Sequence, residues 1–176
     1  MNYADIKQFD VANGPGVRIS LFVSGCTHHC KGCFNEVAWD FDYGTLFTEG
    51  TIEQILTWLK PDYIAGLTIL GGEPFEPQNQ KAVLSLVKRV REVYPEKSIW
   101  CYSGYDYEKD LLGVMSQAYP ETMELIQNLD VLVDGKFILE KKDLGLRFRG
   151  SSNQRIIKVP ESLRNQRVVL WEGMNE

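Results

Sequence analysis

Three cysteines within eight residues, Cys26-x-x-x-Cys30-x-x-Cys33, constrain this chain more than any other feature. One short loop must carry all three, and a rigid element must deliver it. Val17 to Val23 (VRISLFV) is apolar, rich in β-branched residues and ends at Ser24-Gly25, so it reads as a buried strand feeding the loop from its C-terminal end. The N-terminal stretch MNYADIKQFD has neither the basic start nor the apolar middle of an export signal, which places the protein in the cytoplasm. In that reducing compartment, crowded thiols indicate a metal centre rather than a disulfide framework. Two centres fit the loop on spacing alone. Zinc would be completed by His28 or His29 in a tetrahedral set. A 4Fe-4S cubane would use the three thiolates and leave one iron open to a substrate's amine and carboxylate. The fourth cysteine, Cys101, lies inside the apolar stretch Ser98 to Tyr102 and reads as a small buried residue.

The rest of the pattern alternates strands with helices. Ile52, Ile55, Leu56 and Leu59 recur at helical spacing before Pro61, and Gly66 to Leu70 follows as a strand broken by Gly71-Gly72. Ala82, Val83, Leu86, Val87 and Val90 mark the next helix, and Ser98 to Tyr102 the third strand. Helical stretches interrupted near Pro120 run from Tyr107 to Asn128, and Val131 to Val133 supplies a fourth strand ending in Asp134-Gly135. Ile156 to Val159 and Val168 to Trp171 read as late strands, while Phe137 to Asn153 has no clear period. Such alternation predicts an α/β fold with mostly parallel strands and with its chemistry on the loops after the strands. The chain's 176 residues suit one domain, 1–176, and fall short of the roughly 250 of a full eightfold barrel, so a partial (βα) barrel is expected.

Charge and hydropathy exclude some partners. A net charge of -5 lacks the basic face that nucleic acid demands, and no apolar run approaches the roughly 20 residues needed to cross a membrane.

Two further segments follow strands. Gly71-Gly72-Glu73-Pro74 joins two glycines, which let backbone approach a ligand, to a carboxylate suited to an ammonium group; Gly-Gly-acid-Pro is also a common turn. Ser103-Gly104 either lines the same pocket or simply ends its strand. Arg18, at the start of the strand before the cysteines, reads equally as a contact to partner or cofactor and as a surface charge.

With Phe34 after the last cysteine, the loop resembles the signature of the radical S-adenosylmethionine family, and Gly71 to Pro74 resembles that family's GGEP segment. The likeness narrows to the glycyl-radical-enzyme activases, and within them to the small activators of anaerobic ribonucleotide reductase. It is carried by Met1-Asn2-Tyr3, Asn13 to Arg18 (NGPGVR), Leu21 to Cys26, Pro77-Gln78-Asn79, Ile99-Trp100, Val133 to Lys136 (VDGK) and Arg149 to Gln154 (RGSSNQ). The resemblance implies a 4Fe-4S cluster on Cys26, Cys30 and Cys33, with S-adenosylmethionine held by Gly32, Cys33, Phe34, Gly71, Gly72, Glu73, Ser103, Asp134 and Lys136. Lys136 would pair with the cofactor's carboxylate and Asp134 would orient Lys136 or bind a cation, although Asp-Gly also makes ordinary turns. Reductive cleavage would give a 5'-deoxyadenosyl radical that takes hydrogen from a glycine in the large subunit of anaerobic ribonucleoside-triphosphate reductase. An external one-electron reductant such as flavodoxin is implied as well. His28 and His29 are not among that family's ligands and are expected to face solvent or shape the loop. Close activases often carry Asp where Glu73 stands, and the residues beyond Arg155 match little, so the tail is expected to pack on the barrel or touch the reductase. A radical S-adenosylmethionine enzyme acting on a small metabolite, of the deazapurine synthase kind, shares the same loop and turn. A zinc-binding interaction module without catalysis is the third reading.

Overall fold

The computed structural model of the protein describes residues 1–175. Seven strands form one sheet in the order β3-β1-β2-β4-β5-β6-β7. They are β1 (Asn2–Asp10), β2 (Val17–Val23), β3 (Thr45–Leu46), β4 (Ile64–Gly71), β5 (Ser98–Tyr102), β6 (Val131–Asp134) and β7 (Arg155–Lys158). The central run β2-β4-β5-β6 is parallel, so this is a mixed α/β fold with a mostly parallel central sheet.

Helices supply the crossovers. α1 (Glu49–Leu59) starts at Thr48, whose side chain accepts from Thr51 N while Thr51 returns the bond, and it stops just before Pro61. α2 (Pro77–Val93) begins at Pro77 rather than near Ala82, because proline at the first helical position needs no N–H partner. The stretch after β5 is a π-helical segment (Tyr107–Met115) running into the short α3 (Ser116–Ala118), and Pro120 then opens α4 (Pro120–Gln127).

Alternation along the strands sorts the two faces. Ile19, Leu21, Leu67, Ile69, Ile99 and Cys101 point toward the helices and pack on Ile52, Ile55, Val83, Val87 and Val90. Each fully buried aliphatic side chain there contributes roughly 1.5–3 kcal/mol. Trp100, Val131, Val133 and Ile156 form a second cluster with Tyr102, Phe148 and Trp171.

β1 has no counterpart in the sequence reading. It pairs antiparallel with β2, Ile6 opposite Leu21 and Asp10 opposite Arg18. Its residues alternate polar and weakly apolar, as suits a strand with only the two-residue β3 outside it. β7 is also antiparallel, because the connection from β6 holds only a 3-10 turn (Leu139–Lys141) and no crossover helix. Val168 to Trp171 does not form a strand. After α5 (Val159–Asn165) ends at left-handed Gln166, the tail makes a single bridge, Ile157 to Leu170, and then turns so that Trp171 seats on Trp100 with ring centroids 5.5 Å apart. Asn175 bonds both backbone groups of Ile156, so the tail packs on the sheet. Among the described residues no helix is long and apolar enough to cross a membrane.

Arg18 is not a surface charge. It is wholly buried, 5.7 Å from the Trp100 ring, and donates to Thr68 Oγ1, Leu67 O and both the carbonyl and the hydroxyl of Ser98. Through its bond to Pro15 O, and the bond of Thr68 to Asn13 O, it staples the Gly14-Pro15-Gly16 turn across β2, β4 and β5. Burial without a carboxylate partner lowers its pKa to about 10.

Candidate cluster and cofactor site

The ends of β2, β4, β5 and β6 converge on one cavity of about 460 Å³, walled on its far side by residues 142–150. The size suits a small-molecule ligand.

β2 hands the chain to Cys26, which is buried; Cys30 and Cys33 are half-buried, and all three line the cavity. The loop returns through a 3-10 turn (Glu36–Trp39), so that Gly25 N donates to Ala38 O and Cys26 N to Trp39 O. A further clamp comes from Thr27, whose N–H and hydroxyl both donate to Glu76 Oε1 at 2.7 Å. Burial, reinforced by the nearby Glu73 and Glu76 charges, pushes the Cys26 thiol up to about 11, and burial raises Cys30 too. Thiols in such surroundings become ligands when a metal centre supplies the positive charge that stabilises thiolate.

Among the described residues, the one group of three or more acidic, His or Cys ligand atoms lying within 4.8 Å of one another is Asp106, Glu108 and Asp134.

Gly71 and Gly72 are required by the neighbouring chain. Gly71 has φ +115°, and a Cβ on Gly72 would stand 2.5 Å from Gly25 O and 2.7 Å from Ala38 O. Gly72 N donates to Val23 O and Glu73 N to Gly25 O, so the two loops are sewn together. Asn79 of α2 adds a stitch, its amide donating to both Ser24 O and Glu73 O.

Glu73 is 1% exposed and fully engaged. Oε1 accepts from Phe75 N and the Ser103 hydroxyl; Oε2 accepts from Gly104 N at 2.7 Å and faces His28 Nε2 at 2.9 Å. The carboxylate thus joins the cysteine loop to the ends of β4 and β5. His28 does not face solvent: its side chain is 6% exposed and packs edge-on against Tyr105. His29 shapes the loop, stacking on Trp39 with centroids 4.4 Å apart.

Gly32, Phe34, Ser103 and Gly135 also line the cavity. Asp134 does not: it is buried behind the wall, accepting from Tyr107 N and from Arg155. That guanidinium stands among Asp106, Glu108 and Asp134, the acidic group noted above. Lys136 is exposed and outside the lining, although its charge is near enough to favour the Cys30 thiolate. Cys101 is wholly buried in the helix-side core, away from the loop. Sequence reasoning did not single out Trp39, Tyr102, Phe148 or Arg149 for this wall; for Arg149 the RGSSNQ motif was the available signal.

A family model for a 4Fe-4S single cluster domain matches residues 12–157, which include the whole cysteine loop and the strands that frame the cavity. The class defined is thus an iron–sulfur protein with one cluster. Curated relatives are more specific. A Vibrio cholerae protein is 44% identical over 158 residues (89% of this chain, 97% of that protein), one from phage T4 is 40% identical (89% and 93%), and one from Escherichia coli K12 is 40% identical (88% and 96%). The chain belongs to the family of these relatives, the anaerobic ribonucleoside-triphosphate reductase-activating proteins.

Proposed function

We propose that this chain activates an anaerobic ribonucleoside-triphosphate reductase, with a 4Fe-4S cluster on Cys26, Cys30 and Cys33 and S-adenosylmethionine in the adjoining cavity. The observation that carries the reading is convergence: the cysteine loop, Gly71 to Glu73 and Ser103-Gly104 meet at one cavity and are locked together through the Glu73 carboxylate. When bound, the cluster and cofactor supply one-electron reductive cleavage, yielding methionine and a 5'-deoxyadenosyl radical that takes a hydrogen atom from a glycine of the reductase.

The chain's own residues perform the remaining tasks. Cys26, Cys30 and Cys33 would hold the cluster, three thiolates for four irons. Gly71, Gly72 and Ser103 floor the cavity, and the half-buried side chains of Leu146 and Phe148 add apolar wall that would limit water around a primary carbon radical. With every acceptor position of Glu73 filled, its role is to fix the walls rather than to receive the cofactor's ammonium directly. Asp134 anchors the end of β6 through Arg155. The helices on one sheet face and the cavity at the strand ends support an open-sided partial barrel, in which residues 1–176 act as one cytoplasmic domain served by an external reductant such as flavodoxin.

The test is anaerobic incubation with S-adenosylmethionine, a reductant and a candidate reductase. A glycyl-radical EPR doublet on the reductase is expected; deoxyadenosine without a protein radical would transfer the chain to the metabolite-directed class.

A further inference from the structure

We propose that Lys31, Lys136, Lys141 and Lys142, around the exposed Phe34 and Leu144, form a docking face for an acidic one-electron carrier protein; this rests on the cluster reading above. The chain's charge is unevenly placed. Its net charge is -5, yet residues 136–149 hold Lys136, Lys141, Lys142, Arg147 and Arg149 against only Glu140 and Asp143. On the helix face Lys81 is matched by Glu121, Lys88 by Glu124, and Arg89 by Glu53 and Glu92. The four lysines of the docking face are all exposed, and among the described residues none of them stands in an ion pair.

The four belong to one surface. Lys31 stands between Cys30 and Cys33, next to Gly32, and a Cβ on Gly32 would meet Leu139 Cδ1 at 2.9 Å, so the turn Leu139–Lys141 lies against the cysteine loop. Lys136 is near enough for its charge to reach Cys30. Lys142 shares the cavity rim with Phe34 and Leu144, which are 80% and 90% exposed. Large apolar side chains this open, framed by unpaired ammonium groups, have the makeup of a protein contact with a charged rim.

The occupant follows from what the face covers. Cys30 and Cys33, the two more exposed of the three loop thiols, belong to it, so a carrier seated there meets the open side of the ligand set. In the transfer the carrier loses one electron and the cluster gains it. Such a carrier must bind, deliver and leave, and complexes of this kind bury little area and are selected by charge. A chain of net charge -5 repels an acidic protein at long range; a local field of unpaired lysines offsets this and turns the carrier toward the loop. The reductase must instead reach into the cavity, which Lys31, Lys136 and Lys141 do not line.

The test follows binding of oxidised flavodoxin to the cluster-loaded protein by flavin fluorescence, and cluster reduction by reduced flavodoxin in stopped flow. Both are run at ionic strengths of about 0.01 M and about 0.15 M, where charges are screened over about 30 Å and about 8 Å. Wild type is compared with Lys141→Glu, with the triple variant Lys31→Glu, Lys136→Glu, Lys141→Glu, and with the helix-face triple Lys81→Glu, Lys88→Glu, Arg89→Glu, which changes net charge equally. At low salt the loop-side triple should bind and accept electrons about 10- to 100-fold more weakly than wild type and lose its salt dependence. Lys141→Glu should fall between, the helix-face triple should stay within about 3-fold of wild type, and photoreduction by a small deazaflavin should be equal in all. Unchanged flavodoxin binding in the loop-side triple, an equal loss in the helix-face triple, or a loss confined to binding of the reductase would overturn the assignment. A wild-type protein with no cluster that deazaflavin can reduce would instead overturn the cluster reading itself.

Discussion

The Nε2 atom of His28 lies 2.9 Å from Oε2 of Glu73, so the middle of the cysteine loop is tied to the turn after β4 by side chains 45 residues apart in sequence. With Ser103 and Gly104 on the same carboxylate, this contact sets the spacing of three strand ends around the cavity.

Replacing Glu73 removes an acceptor from several buried donors at once. Each donor left unpaired costs about 1–3 kcal/mol, so Glu73→Ala should lower unfolding free energy by about 3 kcal/mol or more. His28→Ala leaves Gly104 N on the carboxylate and should cost only about 1 kcal/mol. Urea unfolding of the two variants would check the ranking; equal losses would mean that the carboxylate does not organise the strand ends.

Gly72→Ala should reduce iron and sulfide incorporation sharply. Its Cβ would press on Gly25 O and Ala38 O, backbone that carries the cysteine loop. Gly50→Ala in the first turn of α1 meets nothing closer than Thr48 Oγ1 at 3.4 Å. It should load the cluster normally and be neutral or stabilising by up to about 1 kcal/mol. Anaerobic reconstitution followed by iron and sulfide analysis separates them.

Cysteine variants should divide cleanly. Alanine at Cys26, Cys30 or Cys33 should abolish cofactor cleavage and bleach the iron–sulfur absorbance. Cys101→Ala should keep the absorbance and lose about 1 kcal/mol, because it deletes one buried sulfur from the helix-side core. Visible spectra of the four reconstituted variants decide; a colourless Cys101→Ala protein of normal stability would place that thiol at the cluster.

Arg18→Met should destabilise the protein by about 3 kcal/mol or more, since Leu67 O, Ser98 O and Thr68 Oγ1 would lose their donor inside the sheet. Arg18→Lys cannot reach all of these acceptors and should be destabilised as well. Thermal unfolding of both would show it, and a Lys variant as stable as wild type would contradict the staple.

What could be read in the sequence is what is local. The cysteine loop, the Gly71 to Pro74 turn and the central strands are contiguous, each signalled by residues a few positions apart. β1 escaped because its burial depends on pairing with β2, and a half-polar strand shows little on its own. The segment 137–153 escaped because it has no period of its own; it is held by contacts such as Gln154 to Gly135 and Tyr102 to Phe148 O. The roles of Glu73 and His28 were hidden for the same reason, since their partners come from distant strands. Lys136 and Arg149 illustrate the limit in miniature: both were visible in motifs, but only the fold shows which of them reaches the cavity wall.

The most direct measurement is the EPR spectrum of the reduced, oxygen-protected protein before and after S-adenosylmethionine is added, with metal analysis of the same sample. The account predicts four irons and four sulfides per chain, as the 4Fe-4S family match implies, and a cluster signal that shifts when the cofactor binds. One zinc per chain, or a cluster signal indifferent to the cofactor, would contradict it.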